Sequence, residues 1–202
     1  MAKVATIGVV VLAAGASRRL GQPKQLLIFR DKPLLQHAID LIDEFAPDAF
    51  VIVLGAHKKK IKQKIDFKEA EVIVNQSWKS GVASSITCGL RTLQKKFPEV
   101  DQVLFVLSDQ PYLSIDLLRK MQKAASKLDT SITASRYDGV VGVPAMFDKS
   151  LFSKLGALEE DQGAKKIILA NLDQTHFIEF ERGEIDIDTQ EQYQQLINDD
   201  LR

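Results

Sequence analysis

The chain has 202 residues, of which 45% are hydrophobic and 27% are charged, which are ordinary values for a soluble globular protein. Its 27 basic and 27 acidic side chains balance, and this formal net charge of zero argues against general nucleic-acid binding. The single cysteine, Cys88, excludes an internal disulfide and a multi-cysteine metal centre, and the three histidines have no metal-ligand spacing.

The first predicted element is the apolar run "TIGVVVLA", which begins at Thr6. The apolar segment around it is too short to span a bilayer. It leads into a glycine-containing loop rather than into a signal-peptide cleavage site. We therefore expect a buried strand in a cytoplasmic protein that has no membrane association.

Three further apolar runs of strand length follow, "AFVIVLGA", "EVIVN" and "QVLFVLSD", and such runs are typical of strands buried on both faces of a parallel sheet. Amphipathic segments alternate with them and predict helices in "PLLQHAIDLIDEF", "SSITCGLRTLQKKF" and "SIDLLRKMQKAASKL". Pro33 fits the first turn of the first helix, and Ser114 fits the N-cap of the third. This order predicts a doubly wound, Rossmann-like three-layer α/β/α sandwich with a mostly parallel sheet.

Beyond residue 130 the pattern loosens. The segment "SITASRYDGVVGVPAMF" predicts a strand, a turn and a second short strand, and "SLFSKL" and "GAKKIILANL" predict helices. A strand near "THFIEF" and a closing helix in "TQEQYQQLI" complete the chain. Because the sequence has no linker, internal repeat or low-complexity tract, we expect one domain, with residues 130–180 as a subregion over one sheet edge.

The loop after the first strand carries the strongest chemical signal. It starts at the carboxyl edge of the sheet, where open α/β folds bind ligands. Gly15 allows a close backbone approach, the amides of residues 14–17 can form an anion-binding nest, and Ser17 adds a hydroxyl group. Arg19 and Lys24 can bring positive charge onto phosphates. The loop is neither a P-loop nor a dinucleotide fingerprint, and the alternative is a solvated basic loop.

Two other strand ends carry polar residues that suit a phosphorylated ligand. Asp109 ends "VLFVLSD", where a carboxylate can hold Mg²⁺, although an aspartate is also a common turn residue. In "NQSWKSGVASSI", Gly81 precedes a helix whose first turn would contain Ser84 and Ser85. Such a helix start offers free amides to a base or a phosphate, and the alternative is a plain strand–loop–helix link.

The segment "GEIDIDTQEQY" contains two aspartates at alternate positions. If Ile185 and Ile187 face the core, strand alternation places Asp186 and Asp188 together on the opposite face. Two such carboxylates repel unless a cation lies between them, which favours a metal or phosphate neighbourhood. In the alternative interpretation, Asp188 or Thr189 caps the last helix.

These motifs together resemble a known family. "LAAGASRRLGQPK" matches the nucleotidyltransferase pattern L-A-x-G-x-S-x-R-x-G-x-P-K at every fixed position. "LSDQPYL", "GVPAMF", "DQGAKK" and "DIDTQEQY" follow in the order of the molybdenum cofactor cytidylyltransferases, so the resemblance covers nearly the whole chain. It implies a nucleotide-diphospho-sugar transferase-like fold in a single domain, residues 1–202. The NTP-binding part would be about 1–130 and the acceptor side about 131–180.

The resemblance implies roles for three groups of residues. The nucleotide-binding group would be Leu12, Ala13, Ala14, Gly15, Ser17, Arg19, Lys24, Gly81, Ser85 and Asp109, with Arg19, Lys24 and Asp109 as the catalytic members. Asp109 would bind Mg²⁺ with Asp186 or Asp188 as the second carboxylate, and we favour Asp186. The acceptor-binding group would be Gly142, Pro144, Asp161, Gly163 and Lys165.

The implied reaction is transfer of CMP from CTP to the terminal phosphate of molybdopterin, with pyrophosphate release and a molybdoenzyme as partner. Guanylyltransferases of the family tend to have glycine where this chain has Ala14, and the added methyl group favours CTP over GTP. Glu160 replaces the glycine that relatives often have before Asp161, a departure that concerns the acceptor. The alternatives are a guanylyltransferase, a sugar-1-phosphate nucleotidyltransferase and a non-catalytic carrier of the cofactor. A redox Rossmann protein is disfavoured because the glycine fingerprint is missing.

Overall fold

The computed structural model describes residues 5–127 and 130–200. The strands are β1 (Ile7–Ala13), β2 (Ile28–Phe29), β3 (Lys32–Pro33), β4 (Ala49–Leu54), β5 (Glu71–Val74), β6 (Gln102–Leu107), β7 (Ile132–Tyr137), β8 (Val140–Asp148) and β9 (Thr175–Glu179). The α-helices are α1 (Leu34–Phe45), α2 (Lys58–Lys62), α3 (Val82–Lys96), α4 (Ile115–Lys127), α5 (Phe152–Gly156), α6 (Lys165–Leu169) and α7 (Gln190–Asp200). Short 3₁₀ helices cover Lys24–Leu26, Trp78–Ser80, Lys149–Leu151 and Leu172–Gln174.

Seven strands form one sheet in the order β5-β4-β1-β6-β8-β7-β9, and β2 and β3 form a separate hairpin. Strands β5, β4, β1 and β6 are mutually parallel. Strand β8 runs antiparallel to both β6 and β7, while β9 is parallel to β7. The prediction of a mostly parallel sheet is therefore confirmed, with β8 as the reversed strand on the side that follows residue 130.

Helices cover both faces of this sheet. Alternate residues of β1 face opposite sides, so Val10 belongs to the core under α3, α5 and α6, whereas Val9 and Val11 belong to the core under α1, α2 and α4. All seven residues of β1 are buried, as expected for the central strand of a sheet covered on both faces. The three-layer α/β/α architecture is confirmed.

A third, smaller apolar cluster holds the site segments in place. It joins the loop after β1 to the C-terminal part of the chain through Leu20, Leu27, Phe29, Leu34, Ile187 and Leu196. Leu20 and Leu27 lie on either side of Lys24 in the sequence, and Ile187, which is fully buried, separates the two aspartates of "DID". The cluster therefore packs the segment before α7 against the loop after β1.

Some details differ from the expectations. Pro33 ends β3 and lies one residue before α1 rather than in its first turn, because it pairs with Ile28 in the hairpin. Residues 185–188 form no strand, and β5 is a half-buried edge strand. Ser114 caps α4 as predicted, since Leu117 N donates to its hydroxyl at 3.3 Å. The expected end of that helix at residue 128 lies outside the described residues.

Within residues 5–127 and 130–200, none of the helices combines the length and the apolar character that crossing a bilayer requires.

Candidate active site

A cavity of about 580 Å³ opens at the carboxyl ends of β1 and β6. The loops that follow parallel strands lie at this edge. Strand β1 has β4 on one side and β6 on the other, so the chain crosses over in opposite directions from it, and ligands of open α/β sheets bind at such a position. Most of the predicted site residues line this cavity: Leu12, Ala14, Gly15, Ser17, Lys24, Gly81, Ser85, Asp109, Asp161, Asp186 and Asp188.

One cation joins the two carboxylate segments. Lys24 Nζ forms an ion pair with Asp109 Oδ2 and lies 2.9 Å from Asp188 Oδ1. Arg19 forms an ion pair with the other oxygen of Asp188. The side chains of Lys24 and Asp109 are only 18% and 7% exposed, so this pair is shielded from water, whereas the side chain of Arg19 is 70% exposed.

The pKa values in this cluster follow from burial and charge. Burial alone would lower the pKa of Lys24, but the charges and hydrogen bonds of Asp109 and Asp188 outweigh it and raise that pKa above its ordinary value. Burial alone would raise the pKa of Asp188, but the hydrogen bond and charge of Lys24, with the charge of Arg19, lower it. Both shifts favour the charged forms of the pair.

Asp186 has the opposite character. Partial loss of water around its carboxyl group, followed by the like charges of Asp188 and Asp109, raises the pKa of Asp186. Three carboxylates thus converge with Lys24 as their nearest cation, and hard oxygen ligands of this kind suit Mg²⁺ or Mn²⁺. Within the described ranges, no group of three or more His, Cys, Asp and Glu side chains is close enough to enclose a metal ion by itself. The donor set fits an ion that also takes ligands from substrate phosphates.

The opposite wall of the cavity is built from the segment after β5 and the loop at residues 159–163. Gly81 has φ of 95°, and a Cβ there would come within 2.6 Å of Asp161 Oδ1, so only glycine lets this loop pack so closely. Ala83 N donates to Glu160 O at 3.1 Å, which ties the two segments together. The buried side chain of Asn75 donates to Ser85 Oγ at 3.0 Å and orients that hydroxyl.

The family model of the MobA-like NTP transferase domain matches residues 9–175. The chain belongs to this family. It is 28% identical over 203 residues to nicotine blue oxidoreductase of Paenarthrobacter nicotinovorans, covering 93% of this chain and 95% of that protein. It is also 28% identical over 160 residues to the bifunctional protein GlmU of Buchnera aphidicola, where the match covers 78% of this chain but spans only 33% of GlmU.

Solved structures with the same fold cover nearly the whole chain. The crystal structure of Rv0371c from Mycobacterium tuberculosis H37Rv superposes with a TM-score of 0.86 at 28% identity, covering 97% of this chain and 99% of that one. A manganese complex of Rv0371c superposes with a TM-score of 0.80 at 26% identity, covering 96% and 98%. These similarities show that the chain shares its fold with solved structures over nearly its whole length.

Six predicted residues of this MobA-like chain lie outside the cavity lining: Ala13, Arg19, Gly142, Pro144, Gly163 and Lys165. Ala13 is buried, and its carbonyl group accepts from Gln25. Gly142 packs against the hydroxyl of Tyr137, where a Cβ would come within 2.5 Å. Lys165 is exposed at the start of α6. Of the acceptor-side residues, the structure thus brings only Asp161 to the cavity.

Five polar or aromatic residues line the cavity although no role was predicted for them: Arg18, Gln25, Trp78, Lys79 and Ser108. Trp78 is half-buried and is the single tryptophan of the chain. Trp78 lies three residues before Gly81 in the segment "NQSWKSGVASSI". An aromatic residue so close to a helix start that could bind a nucleotide was the sequence signal for a role in the cavity. Gln25 directly follows Lys24, and its burial was not visible from its polar side chain.

Proposed function

We propose that this MobA-like nucleotidyltransferase transfers CMP from CTP to the terminal phosphate of molybdopterin and releases pyrophosphate. The observation that carries the proposal is the shielded pairing of Lys24 with Asp109 and Asp188 beside the open loop at Gly15. One cavity then contains a cation that can bind phosphates and also carboxylates that can bind a divalent metal ion.

The reaction needs little from the protein except positioning and charge. The acceptor phosphate is already an oxyanion, so its oxygen attacks the α-phosphorus without a general base. A new oxygen–phosphorus bond forms, the bond from the α-phosphorus to the β-phosphate oxygen breaks, and pyrophosphate leaves with the electron pair. Two polyanions must approach each other, so charge neutralisation dominates the barrier. In the proposal, Lys24 and Arg19 supply this charge by exchanging their carboxylate partners for phosphates.

Asp109, together with Asp186 or Asp188, would hold Mg²⁺, which would add positive charge at the phosphates when bound. The raised pKa of Asp186 supports a cation at this position, because nearby carboxylates disfavour its ionised form. In the protein without nucleotide, Asp188 has Lys24 and Arg19 as partners. This difference keeps Asp186 as the favoured second ligand.

The proposal also includes the specificity for the nucleotide base and for the acceptor. Ala14 lines the cavity and packs beside Gly55, where a Cβ would come within 2.8 Å of the Ala14 methyl group. We propose that Ala14 favours the smaller pyrimidine of CTP. Asp161 would contact the acceptor from residues 131–180, and residues 1–130 would hold the nucleotide. Delivery of the product to a molybdoenzyme in the cytoplasm completes the proposal.

The test is pyrophosphate release from CTP, GTP, ATP and UTP, each with Mg²⁺ and with or without molybdenum cofactor. We expect acceptor-dependent release with CTP and its loss when EDTA removes the metal. Release with GTP, or with sugar 1-phosphates in place of the cofactor, would redirect the proposal to the corresponding transferase. Cofactor binding without any release would instead identify a non-catalytic carrier.

A further inference from the structure

Gln25 holds two carbonyl groups of the loop after β1. The residue is 1% exposed, and its Nε2 donates to Ala13 O at 3.0 Å and to Gly15 O at 3.1 Å. Both acceptors are carbonyl oxygens, which can only accept, so the bonded atom must be the amide nitrogen. One carboxamide therefore spans the turn from the strand into the loop.

The other carbonyl groups of the loop are engaged in the same way. Their donors are Ala56 N to Ala14 O at 3.1 Å, His57 Nε2 to Ala16 O at 2.9 Å, and Leu20 N to Ser17 O at 3.1 Å. Gln25 is the only side chain among the described residues that holds two of these carbonyls. Every carbonyl from residue 13 to residue 17 is thus bound by a donor of the protein.

The amide groups of the same loop are in the opposite situation. Within the described part of the chain, the N–H groups of Gly15, Ala16 and Ser17 donate to no protein acceptor. Ser17 has φ of 51°, and a left-handed residue in such a turn helps successive N–H groups to converge on one point. A Cβ at Gly15 would find no atom within 4 Å, so the space beside the loop is open.

We propose that Gln25 is a positioning residue for nucleotide binding: it holds the carbonyl groups of residues 13 and 15 so that the N–H groups of residues 15–17 stay free for the triphosphate. The inference rests on the proposed function, because it concerns the phosphates of that nucleotide. Gln25 Oε1 is buried and has no partner among the described residues. An unpaired buried acceptor costs free energy, which the two donated bonds offset.

The probe is inorganic tripolyphosphate, because it carries the phosphates without the base or the ribose. Isothermal titration of tripolyphosphate, CTP and cytidine is compared for the wild type and for Gln25→Met, which keeps the length of the side chain and removes the donor. We expect tripolyphosphate and CTP to bind about tenfold or more weakly to the variant, since the loss of the two hydrogen bonds that hold the loop carbonyl groups is on this scale. Cytidine affinity is expected to stay unchanged.

Two further variants separate positioning from general stability. Asn171 is a buried amide that also donates to a carbonyl, Ile167 O at 2.7 Å, but it does not line the cavity. Asn171→Leu should lower the melting temperature and leave tripolyphosphate binding unchanged. Gln25→Asn keeps the amide but is too short to reach both carbonyls, so its affinity should lie between those of wild type and Gln25→Met. It also serves as the test variant if Gln25→Met does not fold.

Each outcome decides one statement. Wild-type affinity for tripolyphosphate in a folded Gln25→Met or Gln25→Asn variant would overturn the role of Gln25 and leave the proposed function standing. A wild-type protein that binds neither tripolyphosphate nor any nucleoside triphosphate would overturn the proposed function itself. Equal weakening of cytidine and tripolyphosphate would show that Gln25 supports the whole cavity, which contradicts a role specific to the phosphates.

Discussion

The ammonium group of Lys24 lies 2.9 Å from Asp188 Oδ1 and also pairs with Asp109 Oδ2. The two carboxylates come from distant parts of the chain, one from the end of β6 and one from the segment before α7. In the protein alone, the cation and the carboxylates therefore satisfy each other's charge. Binding of an NTP would give Lys24 a phosphate partner and release both carboxylates at the same time.

The first prediction follows from this competition. Lys24→Met should lower the rate of pyrophosphate release by roughly 10²–10³-fold, because one electrostatic contact to the transferring phosphates is lost. The same variant should bind Mn²⁺ more tightly than wild type when nucleotide is absent, since the carboxylates no longer have a competing cation. Steady-state assays and Mn²⁺ titration followed by electron paramagnetic resonance measure the two effects. Turnover near the wild-type rate would remove Lys24 from the proposed machinery.

The second prediction contrasts two glycines of the cavity. A Cβ at Gly15 meets nothing within 4 Å, so Gly15→Ala should change the free energy of unfolding by less than about 0.5 kcal/mol. It should still weaken CTP binding about tenfold, because the methyl group enters space that the proposal assigns to the phosphates. Gly81 has φ of 95° and packs against residues 160 and 161, so Gly81→Ala should cost about 1–3 kcal/mol.

Urea unfolding and CTP titration on both variants give the comparison, and each variant serves as the control for the other. Unchanged CTP affinity in Gly15→Ala would show that the open space beside the loop is not the phosphate site.

The third prediction uses the opposite pKa shifts of two aspartates. Because the pKa of Asp188 is lowered in the folded state, its ionised form stabilises the fold above the unfolded value of about 3.9, and this contribution is lost as the pH falls through the lowered value. The pKa of Asp186 is raised, so its ionisation destabilises the fold above the unfolded value, with the full effect above the raised value. At pH 7 in EDTA, Asp186→Asn should therefore raise the melting temperature and Asp188→Asn should lower it.

Thermal unfolding at pH 7, 5 and 3.5 checks this prediction. The Asp186→Asn shift should shrink first, as the pH falls below the raised pKa of Asp186, whereas the Asp188→Asn shift should remain at pH 5 and begin to decrease only below about 3.9. Melting temperatures that move in the same direction at pH 7 would contradict it. Added Mn²⁺ should stabilise wild type more than Asp186→Asn if Asp186 is the second metal ligand.

The strand and helix pattern was predictable because burial imposes periodicity on the sequence, as in β1, where every residue is buried. Asp109 and Lys24 could be placed together because parallel strands deliver their ends to one edge. The pairing of Asp188 was harder to predict, because residues 185–188 form no strand and are held by the packing of Ile187 in a cluster that is distant in sequence. The burial of Gln25 was also not predictable, because the polarity of its side chain alone indicates a surface position.

Arg18 and Arg19 show most clearly what the sequence alone does not predict, and the last prediction concerns them. The sequence pattern assigned the phosphate role to Arg19 and left Arg18 without one, but Arg18 lines the cavity while Arg19 pairs with Asp188 at the surface. The directions of the two side chains depend on the turn that starts at Ser17, where φ is 51°, and the spacing of the residues in the sequence does not reveal this turn.

We expect Arg18→Gln to raise KM for CTP with little change in kcat, because the substitution removes charge from the cavity wall. Arg19→Gln should lower kcat and change stability by at most about 1 kcal/mol, since its ion pair is exposed. Steady-state kinetics at two salt concentrations separates the two, and an unchanged KM in Arg18→Gln would leave Arg19 as the loop arginine that contacts substrate.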